Sequence, residues 1–260
     1  MDLQLKDRVI IVTGGANGIG AAIVRACGRE RAIPVIFDRD ESAAAKLSRE
    51  LREQGIKNEA VPIDLGEASA CARAVDQIAT KFERLDGLVN NAGVNDGVSL
   101  EHGSPERFAA SLRFNFAHYY TMVQAALPAL AKSQGAVVNV SSKVAVTGQG
   151  GTSGYAAAKG AILGATSVWA KEVAGQGIRV NAVIPSEVRT PQYEVWLQKF
   201  ENPKEKLRAI TSKIPLEQRM TEPHEVAAMV LFLLSCRSAG ITGQQLFVDG
   251  GYVHLDRKLP

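Results

Sequence analysis

The chain has 260 residues, 46% of them hydrophobic and 22% charged, so it is long enough to bury a core without disulfides or metals. Its 30 basic and 27 acidic residues are spread along the sequence, with a net charge of +3 and no basic block that could follow a phosphate backbone. This composition excludes a disordered or fibrous protein, and we expect no nucleic-acid partner.

The sequence predicts one cytoplasmic domain over residues 1–260. No Pro-rich, Ser-rich or single-sign stretch acts as a linker within it. Residues 1–7 carry acids without an apolar stretch, and the longest apolar run, Ala227–Leu234, is too short to cross a bilayer. We therefore expect neither a targeting segment nor a membrane partner.

The cysteines indicate a reducing compartment. Cys27, Cys71 and Cys236 are widely spaced and show no metal-ligand pattern. Cys27 and Cys236 fall within apolar helical stretches, so we expect buried thiols that behave as small hydrophobic residues, and no metal site.

Short β-branched runs alternate with longer stretches of helical apolar spacing. The strand candidates are Val9–Val12, Val35–Phe37, Ala60–Ile63, Leu88–Val89, Val137–Val140 and Val180–Val183. Such alternation predicts an α/β fold with a parallel sheet and helices on both faces. Ser104-Pro105 and Glu222-Pro223 are typical helix starts, the first of them for a helix over Pro105–Leu130.

A glycine-rich turn follows the first strand. Thr13–Gly20 reads TGGANGIG and leads directly into the helical pattern at Ala21–Ala26. Unpaired N–H groups at such a helix start can bind a pyrophosphate. The spacing is looser than G-x-G-x-x-G, which leaves a simple tight turn as the alternative. The candidate cofactor contacts in this turn are Gly14, Asn17, Gly18, Ile19 and Gly20.

Acidic residues end the next two strands. Asp38 can accept hydrogen bonds from both adenosine ribose hydroxyls of NAD and would repel a 2′-phosphate, so NAD is preferred to NADP. Arg39 follows and could weaken that preference by reaching a phosphate. Asp64 could accept from the adenine amino group, with a turn residue as the alternative.

Tyr155 and Lys159 are four residues apart on a predicted helix and therefore share one face. Lowering a tyrosine pKa from ~10 by roughly three units requires about 4 kcal/mol. One cation about 4 Å away at an effective dielectric of about 20 supplies roughly that much. The positive nicotinamide ring of an oxidised cofactor would add to it. Such a tyrosine–lysine pair is common on helices and usually has no function by itself, so its significance depends on the residues that accompany it.

Two polar residues accompany this pair. Ser142 lies thirteen residues before Tyr155, just past the strand Val137–Val140, at the sheet edge where such folds hold ligands. Asn115 lies within a predicted helix between two phenylalanines, where asparagine is a poor helix former. It could hold a water beside Lys159 for proton transfer, or it could be a satisfied structural amide.

Taken in order, these residues resemble the classical short-chain dehydrogenases/reductases, and the resemblance runs over essentially the whole chain. The matching motifs are Thr13–Gly20, Asp64, Asn90-Asn91-Ala92-Gly93, Asn115, Ser142, Tyr155, Lys159, Asn181–Pro185, Thr190 and Phe247–Gly251. The resemblance implies a single-domain, Rossmann-like, doubly wound and mostly parallel seven-stranded sheet, assembled as a homotetramer or homodimer. It implies Tyr155 as acid/base, Ser142 as substrate anchor, Asn115 in the proton relay, and Lys159 binding ribose and lowering the phenol pKa.

The same resemblance implies further cofactor contacts and shows two departures. The contacts are Leu65, Asn91, Ala92, Gly93, Pro185, Val188 and Thr190, with Asn90 steadying the fourth strand. Ser186 and Arg31 stand where the family commonly has glycine. A left-handed helix end at Arg31 would cost about 1 kcal/mol.

The loops expected around the substrate are polar, which suits a polyol or sugar better than a steroid or acyl chain. The candidate substrate contacts are Asn95, Gln149, Glu187, Trp196 and His254, with surface solvation as the alternative for the first three and a buried core position as the favoured interpretation of Trp196. A less regular, proline-bounded segment at about 191–215 predicts a loop or helix pair at the mouth of the site, with a solvated surface excursion as the alternative.

Four stretches, 93–97, 147–150, 185–188 and 249–257, are similar to bacterial L-fucose dehydrogenases of this family. That similarity implies NAD-dependent oxidation of L-fucose or a related aldose to its lactone. A 3-oxoacyl-[acyl-carrier-protein] reductase is the alternative enzyme, and a non-catalytic nucleotide-binding sensor is the alternative of another class. Asp38 argues against the first, and the presence of all four catalytic residues argues against the second.

Overall fold

The structure, a computed structural model, describes residues 1–255, so Asp256 and Arg257 of the stretch 249–257 lie outside the described residues. Its strands form one sheet in the order β3-β2-β1-β4-β5-β6-β7, and every neighbouring pair is parallel. In chain order they are β1 (Val9–Thr13), β2 (Ile33–Asp38), β3 (Glu59–Pro62), β4 (Gly87–Asn90), β5 (Ala136–Val140), β6 (Arg179–Pro185) and β7 (Gln245–Val248). The predicted seven-stranded, doubly wound sheet is confirmed.

Helices connect the strands and cover both faces of the sheet. They are α1 (Gly18–Arg29), α2 (Glu41–Glu53), α3 (Ala68–Phe82), α4 (Pro105–Leu112), α5 (His118–Ser133), α6 (Ser153–Val173), α7 (Pro191–Leu197), α8 (Pro203–Thr211) and α9 (Pro223–Leu234). Strand order reverses between β1 and β4, so the loops after these two strands separate and leave a crevice at the carboxyl edge of the sheet.

Alternate residues of each strand feed two cores. In β1, Ile10 and Val12 belong to the core that contains the buried faces of α1, α2 and α9, whereas Val9 and Ile11 belong to the core under α3, α5 and α6. A parallel strand buried on both faces explains why β1 consists of consecutive β-branched residues rather than an alternating pattern.

The predicted helix starts are confirmed by their caps. The Ser104 hydroxyl accepts from the Arg107 N–H at 3.3 Å, with Pro105 in the first turn of α4. Glu222 and Glu225 form a reciprocal capping box at the start of α9. At the end of α1, Arg31 has φ = 61°, and the Arg31 and Ala32 N–H groups donate to carbonyls of the last turn at 2.9 and 3.0 Å. The expected left-handed helix end is therefore present at a residue other than glycine.

One predicted helix is interrupted. The predicted helix Pro105–Leu130 consists of α4 and α5 joined by a π-helical segment, Arg113–Ala117, that contains Asn115. Such segments widen a helix by one residue in a turn and often occur at functional sites. Apolar periodicity does not reveal them, because it continues on both sides.

The prediction for one cysteine is wrong. Cys27 and Cys71 are buried, but Cys236 is exposed in a short 3₁₀ turn just beyond α9. The apolar run that suggested burial ends two residues earlier, with α9 at Leu234.

Within residues 1–255, none of the helices combines the length and apolar character needed to cross a bilayer.

Candidate active site

A cleft of about 1950 Å³ runs along the carboxyl edge of the sheet. Most residues predicted to contact cofactor or substrate line it, namely Gly14, Asn17, Gly18, Ile19, Asp38, Arg39, Asp64, Leu65, Asn91, Ala92, Gly93, Asn95, Ser142, Gln149, Tyr155, Lys159, Pro185, Glu187, Val188, Thr190 and Trp196. Three of the described residues, Gly20, Asn115 and His254, were also predicted there and lie outside its lining.

Close packing explains the glycine turn. A Cβ atom on Gly14, which has φ = +61°, would lie 2.9 Å from the Ala92 Cα, and one on Gly20 would lie 2.0 Å from the Gly14 carbonyl oxygen. Gly20 is therefore required by the contact between the turn and the start of α1. This packing role accounts for a glycine at position 20, and its predicted cofactor contact stays a prediction.

The start of α1 fits a pyrophosphate. Asn17 precedes its first turn and makes no side-chain capping bond within the described chain, while Gly18 adopts φ = +53°. A Cβ on Gly18 would lie 3.4 Å from the Thr190 Cγ2, so the turn and Thr190 face each other across the cleft. The first-turn N–H groups and the positive helix end therefore meet a groove closed on its far side by the loop after β6.

The Asp38 carboxylate is held in place at the end of β2. Its Oδ2 accepts from the Ala16 N–H at 2.9 Å and its Oδ1 accepts from the Asp40 N–H at 3.0 Å. The Arg39 guanidinium lies over the Phe114 ring, 5.4 Å from its centroid. This end of the cleft thus presents a fixed negative charge, which fits a dinucleotide with free ribose hydroxyls.

Asp64 forms the predicted turn and lies in the cleft, so the turn interpretation is confirmed while the adenine contact stays a prediction. Its Oδ1 accepts from the Gly66 N–H at 2.9 Å, which forms a turn after β3, and the residue also lines the cleft beside Leu65. The turn fixes the direction of the carboxylate rather than removing it from the cleft.

Tyr155 and Lys159 lie on the same face of α6, and the Lys159 Nζ is 5.6 Å from the centroid of the Tyr155 ring. Lys159 is only 2% exposed, and its Nζ donates to the Val140 carbonyl at 2.8 Å and to the Tyr119 Oη at 3.0 Å. The predicted shared face is therefore observed, but the ammonium is anchored to β5 and α5 rather than to the phenol.

Burial sets the pKa values of this pair. Burial raises the pKa of Tyr155 to about 12, although a hydrogen bond with Ser142 acts in the opposite direction. Burial also lowers the pKa of Lys159 to about 7. In the protein without a cofactor, desolvation therefore dominates the pKa of both groups, and the predicted joint effect of the ammonium and a cationic nicotinamide ring stays a prediction.

The Asn115 side chain is satisfied within the protein. It is fully buried in the π-helical segment, its Oδ1 accepts from the Val94 N–H at 2.8 Å, and its Nδ2 donates to the Ser111 Oγ at 3.4 Å. A Cβ on Gly93 would lie 3.1 Å from the Asn115 Oδ1 and 3.4 Å from the Lys159 Nζ. Asn115 therefore ties the loop after β4 to the helix beside Lys159, which agrees with the structural alternative.

Sequence reasoning missed two residues next to Lys159. Tyr119 is fully buried, and its hydroxyl donates to the Val140 carbonyl at 2.9 Å while accepting from Lys159. His118 lines the cleft, and burial, assisted by the Lys159 charge, lowers its pKa to about 4. The four-residue spacing from Asn115 to Tyr119 could have indicated a shared helical face.

Among the predicted substrate contacts, Trp196 and His254 need correction. Trp196 is 39% exposed on α7 and packs edge-on against Tyr193 and Phe200, so the core alternative is wrong. His254 packs edge-on against Phe247 with ring centroids 4.3 Å apart, and this contact holds it away from the cleft.

Comparison with known proteins agrees with this geometry. Residues 14–253 match the family model described as enoyl-(acyl carrier protein) reductase. The chain is 34% identical to the 3-oxoacyl-[acyl-carrier-protein] reductase of Thermotoga maritima, over 96% of this chain and 100% of that protein. It is 36% identical to the L-fucose dehydrogenase of Mus musculus, over 95% of this chain and 89% of that protein.

A solved structure is similar over the full length. The crystal structure of Cj0485 dehydrogenase superposes with a TM-score of 0.94 at 44% identity, covering 100% of this chain and 99% of that one. The sequence similarity and the similarity of fold both extend over essentially the whole chain, so they identify the family as well as the fold. The chain belongs to the short-chain dehydrogenase/reductase family, whose members are oxidoreductases that use NAD or NADP.

Proposed function

We propose that this protein uses NAD⁺ to oxidise a hydroxyl group of a neutral, polyhydroxylated small molecule, and that L-fucose or a related aldose, oxidised at the anomeric carbon to its lactone, is the substrate. One observation carries the proposal. Ser142, Tyr155 and Lys159 meet in a single cleft that has the fixed Asp38 carboxylate at one end and polar side chains at the other.

In the proposed mechanism, Ser142 holds the substrate hydroxyl, and the Tyr155 Oη, which must first lose its own proton, accepts the substrate proton as a phenolate. A bound nicotinamide ring supplies the hydride acceptor and, in its oxidised form, a positive charge. Because burial raises the pKa of Tyr155 to about 12, the chain's own charges do not ionise the phenol at neutral pH. Lys159 stabilises the phenolate once it forms, and a lysine with a pKa of about 7 can release or take up a proton near neutrality.

The rest of the cleft supports NAD as the proposed cofactor. We propose that the start of α1 binds the pyrophosphate, that Asp38 accepts from the adenosine ribose, and that Thr190 and the backbone near Val188 meet the nicotinamide amide. Support for NAD over NADP comes from the fixed Asp38 carboxylate and from Arg39, whose guanidinium is engaged by Phe114. Asn115 completes the catalytic set by positioning the loop before Val94.

The substrate assignment rests on polarity and similarity. Asn95, Gln149 and Glu187 line the cleft near Ser142, and hydrogen-bonding groups suit hydroxylated substrates rather than acyl chains. The predicted segment 191–215 contains α7 and α8. We propose that these helices form the outer wall of the cleft and that Trp196 packs on an apolar face of the sugar. The L-fucose dehydrogenase of Mus musculus at 36% identity supports this substrate class.

The second candidate is reduction of a 3-oxoacyl thioester. The matched family model and the relative from Thermotoga maritima favour it by name. Asp38 and the polar cleft favour the first proposal. Activity with acetoacetyl-CoA and NADPH that exceeds activity with every sugar and NAD⁺ would select the second candidate.

We also propose a homodimer or homotetramer that packs through α6. Its outer face carries small residues, including the accessible Ala157 and Gly164, and Val168 is 55% exposed. Small residues let two helices approach closely. Light scattering after size-exclusion chromatography measures the assembly, and a monomer would contradict this part of the proposal.

The function is tested with a panel of aldoses, polyols and simple secondary alcohols, following absorbance of the reduced cofactor. We expect the highest kcat/KM for an aldose with NAD⁺, and we expect Tyr155→Phe to lower kcat about 10²- to 10⁴-fold. Tyr120→Phe is the matched control, since Tyr120 is 52% exposed on α5. Turnover that survives Tyr155→Phe would contradict the mechanism.

A further inference from the structure

A buried ion pair stands beside the catalytic serine and has no part in the chemistry described above. Lys143 directly follows Ser142, and Glu187 lies two residues beyond β6. Their side chains form a salt bridge while only 8% and 14% exposed, and both residues line the cleft.

The fold does not require this pair. Removing two opposite charges from water costs more than their attraction commonly returns, and well-packed apolar residues in their place are often neutral or stabilising. An ion pair at the protein surface would have avoided this desolvation cost. The pair therefore points to recognition of a ligand in the cleft rather than to stabilisation of the two loops that carry it.

Two tyrosines complete a compact polar wall. The Lys143 Nζ lies 4.0 Å from the centroid of the Tyr252 ring, which comes from the segment after β7. Tyr193 on α7 faces Glu187, and burial together with that carboxylate raises the pKa of the phenol well above its usual value. Tyr193 therefore remains a hydroxyl donor, and four separate segments of the chain converge on one side of the cleft.

The chemistry of this wall selects a class of ligand. An ammonium offers only donors and a carboxylate offers only acceptors, so the pair presents both at one place. A hydroxyl group both donates and accepts, and two hydroxyls on neighbouring carbons match an adjacent donor and acceptor. A carboxylate or phosphate would be repelled by Glu187, and a lone carbonyl would accept from Lys143 but offer no hydrogen to Glu187.

We propose that Lys143 and Glu187 form a specificity site for a neutral vicinal diol, in which Lys143 donates to the hydroxyl next to the reacting carbon and Glu187 accepts from that hydroxyl or the one beyond. This inference deepens the proposed function and rests on it, because Ser142 and Tyr155 must hold the reacting hydroxyl. It adds a discrimination that the catalytic residues do not supply, between a diol and an isolated alcohol.

The test compares cyclopentanol with 1,2-cyclopentanediol, and L-fucose with 2-deoxy-L-fucose, in the intact protein with NAD⁺. We expect wild type to prefer the vicinal member of each pair by about a hundredfold or more in kcat/KM, because analogues that leave buried polar groups unpaired are rejected. Equal kcat/KM within both pairs would overturn the specificity site while leaving the proposed dehydrogenase function intact. No turnover of any alcohol would overturn both.

Variants locate the discrimination. Removing one partner strands a buried charge, so the informative variant is the double substitution Lys143→Met with Glu187→Leu. We expect it to lower the ratio of kcat/KM for the diol to kcat/KM for cyclopentanol by about a hundredfold. Lys132→Met, at an exposed lysine near the end of α5, is the matched control and should leave both values unchanged.

If the double variant does not fold, as judged by circular dichroism and thermal unfolding, Glu187→Gln decides the question. The amide keeps an acceptor but loses the charge, so we expect KM for the diol to rise at least about tenfold with little change in kcat on cyclopentanol. A parallel fall on both substrates, or no change on the diol, would overturn the proposal.

Discussion

Replacing Asp38 by asparagine should shift cofactor selectivity by removing one negative charge at the adenosine end of the cleft. Two unit charges about 6 Å apart repel by roughly 3 kcal/mol at an effective dielectric of about 20. Asp38 is partly accessible to solvent, so we reduce this to about 2 kcal/mol, which corresponds to roughly 30-fold. We therefore expect NADP⁺ kcat/KM to rise about 30-fold in Asp38→Asn.

The same variant should lose efficiency with NAD⁺. Hydrogen bonds to a charged group contribute about 1.5–3 kcal/mol, so replacing the carboxylate should lower NAD⁺ kcat/KM about tenfold. Asparagine has one acceptor oxygen where Asp38 uses two, to bind the Ala16 and Asp40 N–H groups. We expect the free energy of unfolding to fall by about 1 kcal/mol from the lost bond.

The assay is the ratio of kcat/KM for NAD⁺ and NADP⁺ at constant ionic strength, with one good alcohol substrate. Asp40→Asn is the matched control, because asparagine caps a helix as well as aspartate and Asp40 already caps α2 through the Ala43 N–H. The reasoning is refuted if Asp38→Asn leaves the ratio unchanged, or if Asp40→Asn moves it as far.

Three other perturbations test the packing and electrostatics around the cleft. Arg31→Gly should stabilise the protein by about 1 kcal/mol, because Arg31 has φ = 61°, and should raise Tm by about 2–4 °C in calorimetry; an unchanged Tm would show that the left-handed helix end is not strained. Tyr119→Phe removes the hydroxyl that contacts Lys159 at 3.0 Å, and we expect about a tenfold loss of kcat with cofactor binding retained; full activity would show that the Val140 contact alone positions the lysine. Burial holds the pKa of His118 near 4, below its unfolded value of about 6.5, so the unfolded state binds more protons between these values and stability is lost as pH falls through this window. The free energy of unfolding falls by about 3 kcal/mol over this window, and in His118→Gln, measured by urea unfolding, we expect it to fall by less. The same pH dependence in the variant and the wild type would show that His118 is not the titrating group.

Local sequence patterns predicted the scaffold because each depends on neighbours in the chain. The β-branched run at Val9–Val12, the Ser104-Pro105 helix start and the left-handed end at Arg31 all follow from backbone sterics and from hydrogen bonds within a few residues. The spacing of Tyr155 and Lys159 likewise fixed their shared helical face. For the same reason, the parallel sheet followed from the alternation of short apolar runs with helical segments.

Sequence patterns within one helix or strand gave wrong predictions where a residue's environment depends on another part of the fold. The break in the predicted helix at Arg113–Ala117 was hidden because this segment contains no Gly or Pro to mark it. Exposure of Cys236 depends on where α9 ends, and the position of His254 outside the cleft depends on its contact with Phe247. Neither the end of α9 nor the contact between His254 and Phe247 could be inferred from the nearby sequence.

The amino-acid sequence by itself determined the doubly wound sheet, the glycine turn and the four candidate catalytic side chains, since these are set by local conformation and by residue type. Tertiary structure decided the electrostatics, because desolvation is a property of everything packed around a group. It raises the pKa of Tyr155 and lowers that of Lys159, and it turns the ammonium toward Tyr119 on α5. It also brought Lys143 and Glu187, 44 positions apart in the chain, into one largely buried pair that lines the cleft next to Ser142.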